Sequence, residues 1–524
     1  MQGLTQDIDA LAAPDRAGEV LVWPDGEPWT DLARRNRKLA RANRVTLLDR
    51  PIAEWTPAAE ADAFVFMAGH QPDLIHPGVW VKTLAIAEAA RRAGGRAEFL
   101  LVDSDVPDAL TLRWPVEKDG RIFVARATPT HLTGGSAFEQ FPDLASHEWS
   151  KWFDGASSGR TDGPPTLISE FAAAFVADAP PACYPSRWRR AMAATHERFS
   201  ATPIEFQCIS EYFSFRDHRL APTAAALLAH VVLHAPRLAH DYNAALDAYR
   251  RRRGIKGRRH PIPDLEVRGA TIELPFWLLD AYHKRRRLHV TAASTGSIEL
   301  SADQQPLATV DTRALRNDPV PALREALGEI SVRPRALALT LFARLCACDL
   351  FVHGIGGAKY DRITDDIIRR FFGAEPPRFA CASATLHLPL DPPDVAPRAL
   401  DGARHRLRDV RFNPHRYLGQ FFSGGDGRAL IAERQAAIAE AARLRTEAPR
   451  DRQARREAFR RIRVANEAML RAAPTMQQSL ARQLEETADR IERKRITEDR
   501  EWFFALYPLS SLGALAESIR RRVF

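Results

Sequence analysis

Between Ala63 and Gly69 every residue is apolar or small (AFVFMAG), the pattern of a short strand buried on both faces. A loop, His70–Gly78, follows. Beyond it Val81, Leu84, Ala85 and Ala89 recur at helical spacing, which predicts a helix over Val79–Arg92 that Gly94-Gly95 ends. Glu98–Val102 (EFLLV) is a second apolar run and leads into Asp103-Ser104-Asp105. Strand, helix and strand within about forty residues make a βαβ unit, with parallel strands and a right-handed crossover.

The rhythm returns late in the chain. Leu337–Leu345 reads as a helix, Asp349–His353 (DLFVH) as a strand and Gly354-Ile355-Gly356-Gly357 as a sharp turn. Asp361–Phe372 is then a helix closed by Gly373, and Phe379–Leu388 alternates as a strand. Two Rossmann-like half-units are therefore expected, separated by roughly 200 inserted residues, more than a typical domain. The insert holds a Gly/Ser/Pro-rich stretch, Gly155–Pro165, helical segments between Thr223 and Arg253, and a strand with an aromatic face at Thr271–Leu279.

After Gly424-Gly425-Asp426-Gly427 the composition changes. Arg428 to Arg500 contains no glycine and places Ile462, Met469 and Met476 seven apart, continued by Leu480, Leu484, Ala488 and Ile491. That pattern predicts a coiled-coil arm, with Pro449 or Pro474 at the reversal of a helical hairpin. Trp502–Leu512 (WFFALYPLSSL) is too apolar to stand free and should dock on the body. The expected fold class is α/β: a Rossmann-like parallel-sheet core with inserted connecting segments and a C-terminal α-helical coiled-coil arm. Its divisions are 1–130 and 326–400 for the two half-cores, 131–325 for the insertions, 401–500 for linker and arm, and 501–524 for the docking segment.

Composition narrows the class. With 45% hydrophobic and 27% charged residues the chain is not disordered, and no apolar run approaches the ~20 residues of a membrane span. Met1–Ala13 lacks the basic-then-apolar order of a signal peptide. Five cysteines, sparse and odd in number, fit a reducing cytosol rather than a disulfide framework. The net charge of +9 is concentrated: 18 basic against 12 acidic residues lie between Arg428 and Arg500, with clusters at Arg250–Arg259 and Lys284–Arg287. No nucleic-acid motif accompanies it, so a solvated Arg-rich surface is the simpler reading and nucleic acid is not an expected partner.

Parallel sheets bind ligands at the carboxyl ends of their strands. The loop Gly69-His70-Gln71-Pro72, continuing to His76-Pro77-Gly78, leaves such an end. Gly69 allows close backbone approach, His70 and Gln71 can hydrogen-bond a polar substrate, and His70 can move protons near neutral pH. The following helix offers free N–H groups to a carboxylate or phosphate. Asp103 and Asp105 end the second strand and suit an amine, a sugar hydroxyl or magnesium, or equally a turn or cap. In His353-Gly354-Ile355-Gly356-Gly357-Ala358-Lys359-Tyr360 three glycines suit either a backbone nest for an anion or a tight turn, and Lys359 can neutralise phosphate. The loop is neither a Walker A motif nor a complete dinucleotide fingerprint. Cys346 and Cys348 with His353 could be imagined as metal ligands, but the two cysteines read as buried structural thiols and no metal site is expected.

The order of these parts resembles the cysteine-adding enzymes of bacillithiol biosynthesis (the BshC family). That family's Gly-Gln-Gln loop and Gly-Pro look like Gly69-His70-Gln71 and His76-Pro77-Gly78, and its acidic strand end looks like Val102-Asp103-Ser104-Asp105. Its Leu-Arg-Pro, Gly-Gly-Pro-Gly-Glu and Ala-Ser-Ala-Thr elements look like Val332-Arg333-Pro334, Gly354–Tyr360 and Ala382-Ser383-Ala384-Thr385. The arm and the closing Leu506–Leu512 complete a parallel covering most of the chain in order. The resemblance implies a ligase-like enzyme that forms an amide between an amino acid, cysteine in the family, and an amine-bearing sugar or related acceptor. It implies ATP with magnesium by family and fold analogy, small-molecule substrates, a homodimer paired through the arm, and no membrane. His70, Gln71, Asp103 and Asp105 would be catalytic. Gly69, His76, Gly78, His353, Gly354, Gly356, Gly357, Lys359, Tyr360 and Ser383 would bind substrate or nucleotide. Where the family has the first Gln of its motif this chain has His70, and where it has an acid this chain has Lys359, which reverses the charge offered to a ligand. The alternative is a non-catalytic dimeric assembly protein that keeps the fold.

Overall fold

A computed structural model describes residues 8–43, 45–56, 63–107, 110–129, 135–142, 144–158, 164–180, 183–280, 284–294, 296–417 and 425–523. They divide into two compact units, the first of Met1–Trp114, Ala125–His387 and Arg500–Phe524, the second of Pro115–Val124 and Leu388–Asp499.

The first unit is built on a six-stranded sheet of β1 (Val20–Trp23), β2 (Val65–His70), β3 (Arg96–Leu101), β4 (Ile204–Cys208), β5 (Leu350–His353) and β6 (Ala380–Ala384), ordered β1-β6-β5-β2-β3-β4. Strands β2 to β6 are parallel, and β1 closes the edge antiparallel to β6. Counted along the chain, the parallel strands stand third, second, first, fourth, fifth. The progression reverses between β2 and β5, where Val352 lies opposite Ala68. The expected βαβ unit is present: β2, helix α1 (Pro77–Ala93) and β3, with Gly94 ending the helix at φ 61°. Gly95 then passes so close to the preceding strand that an added Cβ would stand 2.3 Å from the Phe64 carbonyl oxygen. Backbone cannot yield as a side-chain tip can, so Gly95→Ala should cost about 1–3 kcal/mol, read as a lowered melting temperature.

The insert holds the expected helices and the strand Thr271–Leu279, and more besides. It supplies β4 to the core sheet, helix α2 (Tyr184–His196), and an antiparallel sheet of Gln305–Asp311, Ser297–Ala302, Arg285–Ser294, Thr271–Leu279 and Ser331–Pro334. The helical stretch is two helices, Ala221–Leu233 and Ala235–Arg253. Of the Gly/Ser/Pro-rich stretch, Gly155 to Ser158 belong to the helix Ser146–Ser158, where Gly155 presses on Trp114, and 159–163 lie outside the described residues. Gly354–Gly357 do not form a sharp turn: Gly354 precedes a short helix, α3 (Ile355–Tyr360), because none of these glycines takes a positive φ. The last strand stops at Ala384 rather than Leu388.

The apolar tail docks as expected. Trp502, Phe503, Phe504, Leu506 and Tyr507 are buried, and the Phe504 ring stacks on Trp80 of α1 with centroids 5.4 Å apart. Part of each of two basic clusters is ion-paired inside this unit. Arg250 pairs with Asp264, Arg252 with Asp366 and Arg253 with Asp9, while Arg285, Arg286 and Arg287 pair with Asp105, Asp280 and Glu273.

The second unit carries helices α4 (Arg398–Phe412), α5 (Gly425–Glu447), α6 (Arg452–Ala472) and α7 (Pro474–Glu498). Both prolines interrupt the arm: a short turn holds Pro449 between α5 and α6, which pack on each other and so place the hairpin reversal there, and Pro474 opens α7 where its missing N–H costs nothing. The apolar seam is consumed within the chain. Met469, Met476 and Leu480 bury with Val410, Leu407 and Leu430, and Ile462 packs with Ala441, Leu444 and Ala458. Among the described residues no helix is long and apolar enough to cross a membrane.

Candidate functional site

The two loops singled out in the sequence leave neighbouring strands at one edge of one sheet. With Val352 opposite Ala68, His353 comes level with Gly69. Side chains alternate between faces, so His70 and His353 point to opposite sides of the sheet. Helix α1 covers the His70 face, where Lys82 lies over Phe99. Helix α3 covers the other, where Ala358 and Ile355 pack on Cys381 beside His353. The loops thus straddle the carboxyl edge at the point where the strand order reverses.

Several residues of the first loop serve the backbone. The His76 side chain accepts from Gly78 N at 3.1 Å, and the His76 carbonyl accepts from Val79 and Trp80 N. With Pro77 lacking an N–H, the start of α1 has no donors left over for a ligand, contrary to expectation. Gly78 is required by close approach: an added Cβ would stand 2.8 Å from the Ala384 carbonyl oxygen. Gln71 gives its amide N–H to Asp105 at 2.8 Å, and Asp105 also faces Arg285 at 3.3 Å. That carboxylate is therefore already neutralised, and Gln71 keeps its amide oxygen and one amide N–H for a substrate. His70 is half-buried, its Nδ1 3.1 Å from the Gln71 carbonyl oxygen, which requires a proton on Nδ1 and leaves Nε2 as an acceptor. Burial and the nearby Lys82 charge push its pKa down to about 3. The imidazole stays neutral and can accept a hydrogen bond, but it is too weak a base for proton transfer near pH 7.

Asp103 is placed differently. It is 1% exposed, accepts from both the backbone N–H and the hydroxyl of Ser210, and sits beside Glu139. Burial, followed by the Glu139 charge, pushes its pKa up to about 7. It lines a cleft of about 610 Å³ together with Glu139, Ser186, Arg189, Cys208, Ser210 and Arg333. Arg333 grips Glu139 through two nitrogens at 2.9 and 2.7 Å, and Arg189 holds Glu211 at 2.9 Å. The cleft lies at the ends of β3 and β4, on the same carboxyl edge. It offers alternating acids, guanidiniums and hydroxyls to a small, polar, many-hydroxyl or zwitterionic molecule.

The second loop is less open than its glycines suggested. His353 is buried, with Nε2 2.8 Å from Asp361 Oδ2, and an added Cβ on Gly357 would stand 2.9 Å from its Nδ1. Gly357 is thus small to admit the histidine, and with Gly354 extended and Gly356 and Gly357 helical the three form no backbone nest. Lys359 is half-buried, Tyr360 is exposed, and Ser383 is buried in β6. Cys346 and Cys348 are thiols that burial pushes up, away from metal-binding thiolates.

Compared with models of protein families and with curated proteins, the chain finds no match. The resemblance to cysteine-adding enzymes therefore rests on the motifs alone.

Sequence reasoning missed Lys82, Ser210, Glu139, Arg189 and the cleft-lining role of Arg333. Lys82 carried a signal, a lone charge in the mostly apolar first half of its helix. Ser210 and Arg189 carried none, because only the parallel pairing of β4 with β3 brings them to Asp103. Among the described residues one group has metal-ligand spacing, Glu266, Glu273 and His289 in the antiparallel sheet. Glu273 there is already ion-paired with Arg335 and Arg287.

Proposed function

We propose that the first unit is a Rossmann-like enzyme core that joins an activated amino acid to an amine-bearing acceptor, as the resemblance to the cysteine-adding ligases implies. Its third-second-first-fourth-fifth strand order is the one in which ligands settle where the order reverses. The observation that carries the reading is Asp103: a buried carboxyl poised near neutrality, hydrogen-bonded to Ser210, in a polar cleft on that edge. Amide formation needs an acceptor nitrogen that has lost its proton. Asp103 takes that proton as the nitrogen attacks the acyl carbon, and the leaving group departs with the acyl bond's electron pair. Neutral His70 and the Gln71 oxygen accept hydrogen bonds from the substrates, and Arg189 and Arg333 fix the acids that line the cleft.

The residues present do not fit a nucleotide with magnesium at this edge. Gly356 and Gly357 are helical and Gly354 extended, the start of α1 has spent its N–H groups, and Asp105 is paired with Arg285. No step is routed through ATP, and activation of the acyl group is assigned to the donor itself. The arm's homodimer, in this reading, uses Ile438, Phe459 and Val464, which remain exposed on α5 and α6.

The test is direct. Purified protein is incubated with aminoacyl thioesters or amino acids plus ATP and magnesium, and with amino sugars as acceptors. Products are weighed by mass spectrometry, and ligand binding is read as a rise in melting temperature. An amide product that Asp103→Asn abolishes is expected. No amide from any pair, with Asp103→Asn leaving every ligand affinity unchanged, overturns the reading in favour of a binding protein.

A further inference from the structure

Lys82 lies 3% exposed on α1, with Nζ 2.6 Å from the Gly69 carbonyl oxygen at the end of β2 and 5.6 Å from the Phe99 ring centroid. Among the described residues no carboxylate pairs with it. A buried ammonium is normally matched by an acid, because the protein interior solvates charge poorly. Here one carbonyl takes one of three N–H donors. On its own face of the sheet His70 from β2 stays neutral, and Cys381 of β6, a thiol on the opposite face pushed up to about 12, is the other titratable group whose field reaches it. His76 acts on the same His70, and Lys359 approaches Cys381 from α3. Every charge near this amine is positive or absent. Methionine or leucine would fill a helix-to-sheet contact of this kind without that cost, so a lysine here calls for a negative group that the chain does not itself supply.

We propose that Lys82 anchors an anion-binding site at the carboxyl end of β2, receiving an oxyanion of the ligand, carboxylate or phosphate-like, on its two unused N–H donors. The site rests on the crevice reading above but not on amide chemistry. Burial lowers the lysine to about 8, so an empty site can release its proton and an arriving anion holds it in place. Binding must then weaken as the ammonium is lost.

The experiment titrates the full chain with sulfate, a dianion at every pH used, and with malonate, by calorimetry between about pH 7 and 9.5. Sulfate alone binding assigns a phosphate-like ligand, and malonate alone a carboxylate. In either case affinity should fall about tenfold per unit above about pH 8, where the lysine deprotonates. Lys82→Met should weaken binding about tenfold or more, the worth of a charge-assisted hydrogen bond, while the melting temperature holds or rises. Lys82→Arg should keep the anion and lose the pH dependence, because a guanidinium stays charged. The proposal is overturned if neither anion binds, or if affinity is flat with pH, a result that stands even should Lys82→Met not fold. It is also overturned if Lys82→Met lowers the melting temperature and leaves anion affinity unchanged, which would make the lysine a structural tie to Gly69. Anion binding that survives while no amide is ever formed refutes the ligase reading and leaves this one standing.

Discussion

Replacing Arg344 by methionine should lower the unfolding free energy of the first unit by about 3–5 kcal/mol, the cost of stranding a buried carboxylate. Arg344 and Asp361 are 2% and 1% exposed in side chain, with Nη1 2.6 Å from Oδ2. A second nitrogen holds Asp365 at 2.7 Å, and the same guanidinium bonds the Pro377 carbonyl. Asp361 is kept well below the usual carboxylate range by Arg344 and by His353, which outweigh its burial. Its lowered pKa contributes stability that is present above the unfolded value of about 4 and is lost as pH falls below it. Arg344→Met should therefore unfold at lower urea at pH 7 and lose less than the parent on acidification. Arg344→Met combined with Asp361→Asn should recover much of the loss, since the fully buried charge is then gone and only the half-buried Asp365 lacks its partner. Urea titration by tryptophan fluorescence checks this, and a loss under about 1 kcal/mol would show that Asp361 finds another counter-charge.

Asp103→Asn should lower kcat/KM for amide formation by about 10²–10⁴-fold, the usual worth of a positioned base. Asparagine is nearly isosteric and still accepts from Ser210 N, so the fold is kept and the proton acceptor is removed. The parent rate should rise with pH through about 7 and level off above it, as Asp103 becomes a carboxylate. Stability runs the other way. A carboxyl whose folded pKa is raised binds its proton in the folded state while the unfolded chain has released it, so stability is greatest below about pH 4 and declines up to about pH 7. Asp103→Asn should flatten that decline and melt higher than the parent at pH 8. Measured rates and melting temperatures on one pH axis test both, and half-normal activity in Asp103→Asn would place the base elsewhere.

Local elements were legible because their causes are local. The all-apolar run of β2, the three-and-four spacing of α1 and the left-handed stop at Gly94 depend on near neighbours alone. The two matching strand-loop-helix patterns suggested two halves of one core, and they do share one sheet, but which strands pair was not legible and the loops lie on opposite faces of it. What stayed hidden depends on distant partners. Nothing near Ile204–Cys208 says that it is the third parallel strand, so the cleft beside Asp103 could not be read. Asp105 and Gln71 looked available because their mutual bond, and Arg285 from the antiparallel sheet, lie outside any local window. The glycines after His353 suggested a nest since composition does not distinguish a glycine chosen for positive φ from one, such as Gly357, chosen for lack of bulk.

The position of β2 in mid-sheet has a consequence during synthesis. Its neighbour on one side, β3, follows within a few tens of residues, but its neighbour on the other, β5, lies roughly 280 residues downstream. At ribosomal speeds of about 5–20 residues per second, that leaves an apolar strand edge uncovered for tens of seconds. Phe504, which stacks on Trp80, arrives later still. Newly made chains should accordingly depend on chaperones that shield open β-edges, and truncation before Leu350 should yield aggregates rather than a smaller folded core.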